Sequence, residues 1–139
     1  MSYISDKIKK LVHQRALGCC EYCLLHEDTT FLMHEMEHII SLKHGGTDEI
    51  INLALACSYC NRFKGSDIGS IFREDFIRFF NPRKDIWTEH FVLSDAVIQP
   101  LTPIGEVAAK ILQFNNIDRI IERQLLIEVG KYPIINLRR

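Results

Sequence analysis

An α+β fold is what this chain predicts, and three observations carry that expectation. Two Cys-x-x-Cys pairs, Cys20/Cys23 and Cys57/Cys60, bracket a polar segment. Between them the residues alternate as in strands and lead into a helical stretch from Ser58. On either side, apolar residues recur at helical spacing. At 139 residues and 47% hydrophobic, the chain has the length of one domain and enough apolar material for one core.

Taken in order, Ile4, Ile8, Leu11, Val12 and Arg15 predict an amphipathic helix over 5–17, capped by Ser5 and ending at Gly18. Cys20 to His26 then reads as a zinc-knuckle turn. In 31–40, β-favouring residues alternate with Glu and His and predict a strand. Gly45 and Gly46 mark a loop, 48–51 one helical turn, and 53–56 a second strand. A helix from Ser58 carries Asn61 and Arg62, so the central order is strand, loop, strand, helix. Beyond it, Ile71, Phe72, Phe76, Phe79 and Phe80 form a stripe at roughly helical spacing that Asn81-Pro82 stops, read as core. Phe91 to Leu93 and Val97 to Leu101 predict a hairpin. Thr102 caps a helix with Pro103 in its first position, running to Phe114, and a last helix spans 117–129, closes at Gly130 and has Pro133 beyond it. No internal repeat or linker interrupts the chain, so 1–139 is expected to be a single domain, with a core of about 15–68 and an extension of about 69–139.

Composition narrows the setting. No apolar run approaches the roughly 20 residues that cross a bilayer, and Met1 to Lys10 alternates apolar with charged residues, so a cytoplasmic protein without membrane contact is expected. In that reducing compartment the five cysteines read as zinc ligands plus one spare, not as disulfides. Using Cys20 gives both pairs the same gap, and a Cys19/Cys23 pairing stays open. A net charge of −1 and a pI near 6.6 argue against a broad basic footprint, so any contact with nucleic acid is local.

Four thiolates in two tight turns match what tetrahedral zinc requires. The enclosed residues are of a different kind. Hydrolysis of a phosphodiester needs a base for water and positive charge at the phosphate. His38 suits the first task, since imidazole changes protonation near neutral pH. A divalent cation suits the second. The Glu37 carboxylate and the Asn61 amide oxygen are hard donors appropriate to Mg²⁺ or Mn²⁺. Asn52 can fix the tautomer of the histidine. Because Glu37 and His38 are adjacent, they point to opposite faces unless the strand ends there. Arg62 and Lys64, a turn or less from Asn61, are candidates for phosphate contact. His26, His34, His44 and His90 have no comparable support.

The order Cys-x-x-Cys, Glu-His-Ile-Ile, Gly-Gly-x-Asp, Asn-Leu and Cys-x-x-Cys-Asn-x-x-Lys-Gly, here Cys20/Cys23, Glu37 to Ile40, Gly45 to Asp48, Asn52-Leu53 and Cys57 to Gly65, resembles the HNH endonuclease family. The tail is similar to one bacterial branch of it, through Phe80-Asn81-Pro82-Arg83, Trp87-x-Glu89-His90-Phe91, Leu101-Thr102-Pro103-Ile104-Gly105 and Gly130-x-Tyr132-Pro133. The resemblance implies a ββα-metal core with a structural zinc knuckle, in which His38 is the general base, Asn52 orients it, and Glu37 and Asn61 hold the catalytic cation. It departs from many members at Glu37, where they have Asp or His, and at Asn61, where they have His; this favours Mg²⁺ or Mn²⁺ over zinc in catalysis. The expected function is metal-dependent hydrolysis of phosphodiester bonds in DNA. The alternative is a zinc-stabilised module that binds nucleic acid or protein without chemistry, and a redox role for the cysteines is a distant third. Oligomeric state is left open.

Overall fold

Ser5 accepts a hydrogen bond from the Ile8 amide and opens α1 (Asp6–Ala16), the first element of the computed structural model, which describes residues 3–135 and 137. Met1, Ser2, Asn136, Arg138 and Arg139, the ends of the expected 1–139 domain, lie outside the described residues. Leu17 and Gly18 both take left-handed backbone and turn the chain out of the helix. A Cβ on Gly18 would also lie 2.7 Å from His26 Nε2.

β1 (Glu35–His38) and β2 (Leu53–Ala56) pair antiparallel, Glu35 opposite Ala56 and His38 opposite Leu53. Their alternation separates two layers. Leu53 and Leu55 pack with Val12 and Ala16 of α1, whereas Ala54 and Ala56 face the main core around the cysteines. Cys57 caps α2 (Ser58–Lys64), which follows β2 directly. Strand, strand and helix thus fall in the expected order. The first strand is shorter than the expected 31–40, because β2 ends where Cys57 begins capping and offers no partner before Glu35. Phe31, Leu32 and Met33 are left exposed, with Thr30 Oγ1 bonded locally to the Glu27 and Leu32 carbonyls.

The phenylalanine stripe is not a helix. β3 (Gly69–Phe72) and β4 (Asp75–Arg78) form a hairpin in which Ile71 lies opposite Phe76. Its two turn residues, Arg73 and Glu74, both have positive φ, the geometry that suits the twist of a two-residue hairpin. Phe79 and Phe80 enter the core as expected, but Phe76 is 61% exposed. After α3 (Trp87–His90), β5 (Phe91–Ser94) pairs with β6 (Val97–Pro100) at the expected place. Thr102 caps α4 (Pro103–Ile111) by accepting from the Gly105 amide, with Pro103 in the first turn. That helix stops short of Phe114, since Gln113 takes positive φ. Asn116 caps α5 (Ile117–Glu128). No described helix is long and apolar enough to cross a membrane.

Candidate active site and thiolate cluster

The two Cys-x-x-Cys turns converge. Sγ atoms of Cys20, Cys23, Cys57 and Cys60 all lie within 4.8 Å of one another, and all four residues are buried. Cys23 and Cys57 sulfurs are 3.6 Å apart, close to the roughly 3.8 Å that a tetrahedral zinc with bonds of about 2.3 Å imposes. Each turn also directs an amide at its own first sulfur, Cys23 N–H to Cys20 and Cys60 N–H to Cys57. The donor set therefore fits a structural zinc. Burial pushes the Cys20 and Cys60 thiols well up. At Cys23 burial is outweighed by its sulfur neighbours and by Arg119, which hold the thiol well down. Four such sulfurs become thiolates together only around a cation. Cys19 is buried outside this group, its thiol pushed up to about 11 by burial and by Cys23, so the open choice between Cys19 and Cys20 falls to Cys20.

His38 is the last residue of β1. Pairing continues for one more residue, Ile39 N–H to Asn52 O, and then the glycine loop departs. The imidazole Nε2 lies 2.8 Å from Asp48 Oδ1, and Nδ1 has no hydrogen-bond partner among the described residues. Asp48 was legible only as the end of the Gly-Gly-x-Asp element, with no role assigned. Asn52 does not touch the imidazole. Its Oδ1 accepts from the Ile40 amide, and its Nδ2 donates to Ile40 and Thr47 carbonyls. It thereby clamps the strand end and loop that hold His38 and Asp48, an indirect orientation in place of the direct one expected.

His38, Glu37 and Asn61 line one open cleft of about 290 Å³ with Ser41, Lys43 and Gly65. The carboxylate of Glu37 is turned away from solvent, however, and the residue is 3% exposed. The Tyr22 hydroxyl donates to its Oε1 and Lys64 Nζ to its Oε2, at 2.8 Å. Lys64, expected to meet a phosphate, is 1% exposed. Its remaining donors go to the His38 and Ile39 carbonyls, at 3.1 and 3.0 Å, so it staples α2 to the end of β1. Burial raises Glu37, and Lys64 and Tyr22 counter only part of that rise. Asn61 Nδ2 donates to Glu35, leaving Oδ1 without a protein donor among the described residues. For a hard cation the fit is therefore partial: Asn61 offers an uncommitted oxygen, whereas Glu37 as arranged has both oxygens engaged. Arg62 is exposed over the Phe63 ring, and Lys43, which the sequence did not single out, is exposed at the cleft rim.

Of the other histidines, His34 bonds the Leu25 carbonyl, His26 accepts from the Asp28 amide, and His44 is exposed in the loop. His90 bonds Thr102 Oγ1, the cap of α4, at 2.6 Å. Residues of the extension grip the first knuckle. Arg83 pairs with the Glu21 carboxylate, Trp87 Nε1 donates to the Tyr22 carbonyl, and the Tyr132 hydroxyl donates to the Cys23 carbonyl.

Set beside known proteins, residues 20–67 match the family model described as HNH endonuclease. No curated protein and no solved structure matches the chain.

Proposed function

With an HNH endonuclease segment at residues 20–67 as its core, we propose that the chain hydrolyses phosphodiester bonds in DNA as a metal-dependent endonuclease, working as one domain of core plus extension. The observation that carries this reading is the His38–Asp48 contact at 2.8 Å in a cleft shared with Asn61. With Nε2 held by the carboxylate, Nδ1 is free to take a proton from water as that water attacks phosphorus. Asp48 then stabilises the imidazolium that forms. The leaving oxygen departs from the pentacoordinate phosphorus and is protonated by solvent. A bound Mg²⁺ or Mn²⁺ would supply Lewis-acid stabilisation of the phosphate, held by Asn61 and, if Tyr22 or Lys64 releases an oxygen, by Glu37. Lys43, at the cleft rim, and Arg62, exposed and next to Asn61 in the chain, are the phosphate contacts this reading assigns. Lys64 is replaced in that role, since its ammonium is spent internally.

The test is nicking of supercoiled plasmid in Mg²⁺ or Mn²⁺. His38→Ala is expected to lower the rate by about 10²- to 10⁴-fold while leaving zinc content and melting unchanged. Asp48→Asn keeps the shape but not the charge and is expected to lower the rate by about 10- to 100-fold, the usual effect of removing the partner of a functional imidazole. Nicking that survives His38→Ala would remove the assigned base. A second reading, a zinc-stabilised binding module without chemistry, draws support from the sealed Glu37–Lys64 pair. It requires binding of nucleic acid or protein without cleavage in any divalent metal and no effect of His38→Ala.

A further inference from the structure

A zinc ion with four thiolates carries a net charge of −2, and here every sulfur is buried. Such a charge is stable away from water only beside a counter-charge or hydrogen-bond donors. The cation nearest the sulfurs comes from far along the chain. Arg119, in the first turn of α5, is 4% exposed. Its Nη2 lies 3.4 Å from Cys60 Sγ and 3.9 Å from Cys57 Sγ, and its Nη1 donates to the Leu112 carbonyl at 2.6 Å. The guanidinium sits over Tyr59, 5.2 Å from the ring centroid, and near Phe114, at 5.8 Å. Among the described residues Arg119 has no carboxylate within ion-pair distance, so the sulfurs are its counter-charge. It lies outside the segment that the family model matches.

We propose that Arg119 is an outer-sphere partner of the zinc-thiolate centre, whose fixed charge faces the Cys57 and Cys60 sulfurs and makes zinc retention depend on the docking of α5. The planar fork suits this place better than an ammonium, because one nitrogen faces sulfur while the other is anchored on a helix-end carbonyl. Together with the Arg83, Trp87 and Tyr132 contacts to residues 21–23, it makes the extension a second layer around both knuckles. The consequence is asymmetric: Arg119 contacts only the second Cys pair, so loss of its charge acts most directly on Cys57 and Cys60.

Zinc transfer to a chromogenic chelator and the order of cysteine alkylation, read by mass spectrometry, test this on the full chain. Arg119→Met keeps the aliphatic packing without charge and is expected to release zinc about 10- to 100-fold faster, with Cys57 and Cys60 alkylated ahead of Cys20 and Cys23. Arg119→Lys restores the charge without the fork and should fall between Met and wild type. Arg119→Gln, neutral but still a donor, is the second variant should the methionine variant fold poorly. Wild-type release rates in the neutral variants, or equal rates for Met and Lys, overturn the assignment.

Discussion

Stripping zinc from the reduced protein is expected to unfold it, core and extension together. The four sulfurs tie the turn after α1 to the start of α2, and the main core is built around these cysteines with Tyr22, Leu25, Phe80, Phe91 and Phe114. Structural zinc contributes roughly 10–16 kcal/mol of apparent free energy at neutral pH, as much as the whole net stability of an ordinary domain, about 5–15 kcal/mol. Without the ion, the sulfurs must be buried as mutually repelling thiolates or as thiols lacking their bonds. Far-UV circular dichroism and melting with a chelator present should show loss of the cooperative transition and its return on adding zinc. A chain that keeps its melting temperature once zinc is gone would show that packing alone holds the knuckles. Activity losses in Cys57 or Cys60 variants are accordingly expected to report folding, not chemistry.

Lys64→Met is expected to destabilise the fold by about 3–5 kcal/mol, because it leaves the Glu37 carboxylate buried without its counter-charge. The pH dependence of that loss identifies its cause. Glu37 already sits above its ordinary value through burial, and the Lys64 ammonium is what restrains the rise. Without Lys64 the folded-state value climbs further above the unfolded one, so the native state binds the extra proton. Stability is then retained below the unfolded carboxylate range and lost as pH rises through the raised folded value. The deficit should therefore shrink in chemical melts at mildly acid pH and be largest at neutral and alkaline pH. A deficit independent of pH would point to lost packing instead. The double change Lys64→Met with Glu37→Gln should recover part of the stability, since it removes the uncompensated charge along with its partner.

Much of the site was legible because it depends on short-range spacing. Two equal Cys-x-x-Cys gaps, a histidine on a strand that precedes a glycine loop, and an asparagine on the helix after the second pair are read along the chain with no knowledge of packing. Thr102-Pro103 and Gly130 marked their helix ends for the same reason. The β3–β4 hairpin was not legible: its turn is Arg73-Glu74 and lacks the Asn-Gly or Asp-Gly signal, while five apolar residues fit a helical period as well as a strand pair. The roles of Asn52 and Lys64 were misread for another reason. Spacing told which residues lie near one another, but not that the amide would reach across 12 residues to Ile40, or that the ammonium would turn inward across 27 residues to Glu37.

By itself, then, the amino-acid order determined the paired cysteine turns, the strand–strand–helix centre and a histidine on the first strand, since each is written in contacts between near neighbours; that the strand ends at His38 and not at the expected Ile40 was decided by folding. Folding in three dimensions decided which charges are consumed inside, Lys64 against Glu37 and Arg119 against the sulfurs, and which pair stays part-exposed, Asp48 against His38. The physical reason is that a buried charge takes its partner from whatever element packs against it, and that element can lie 59 residues away, as α5 does from Cys60.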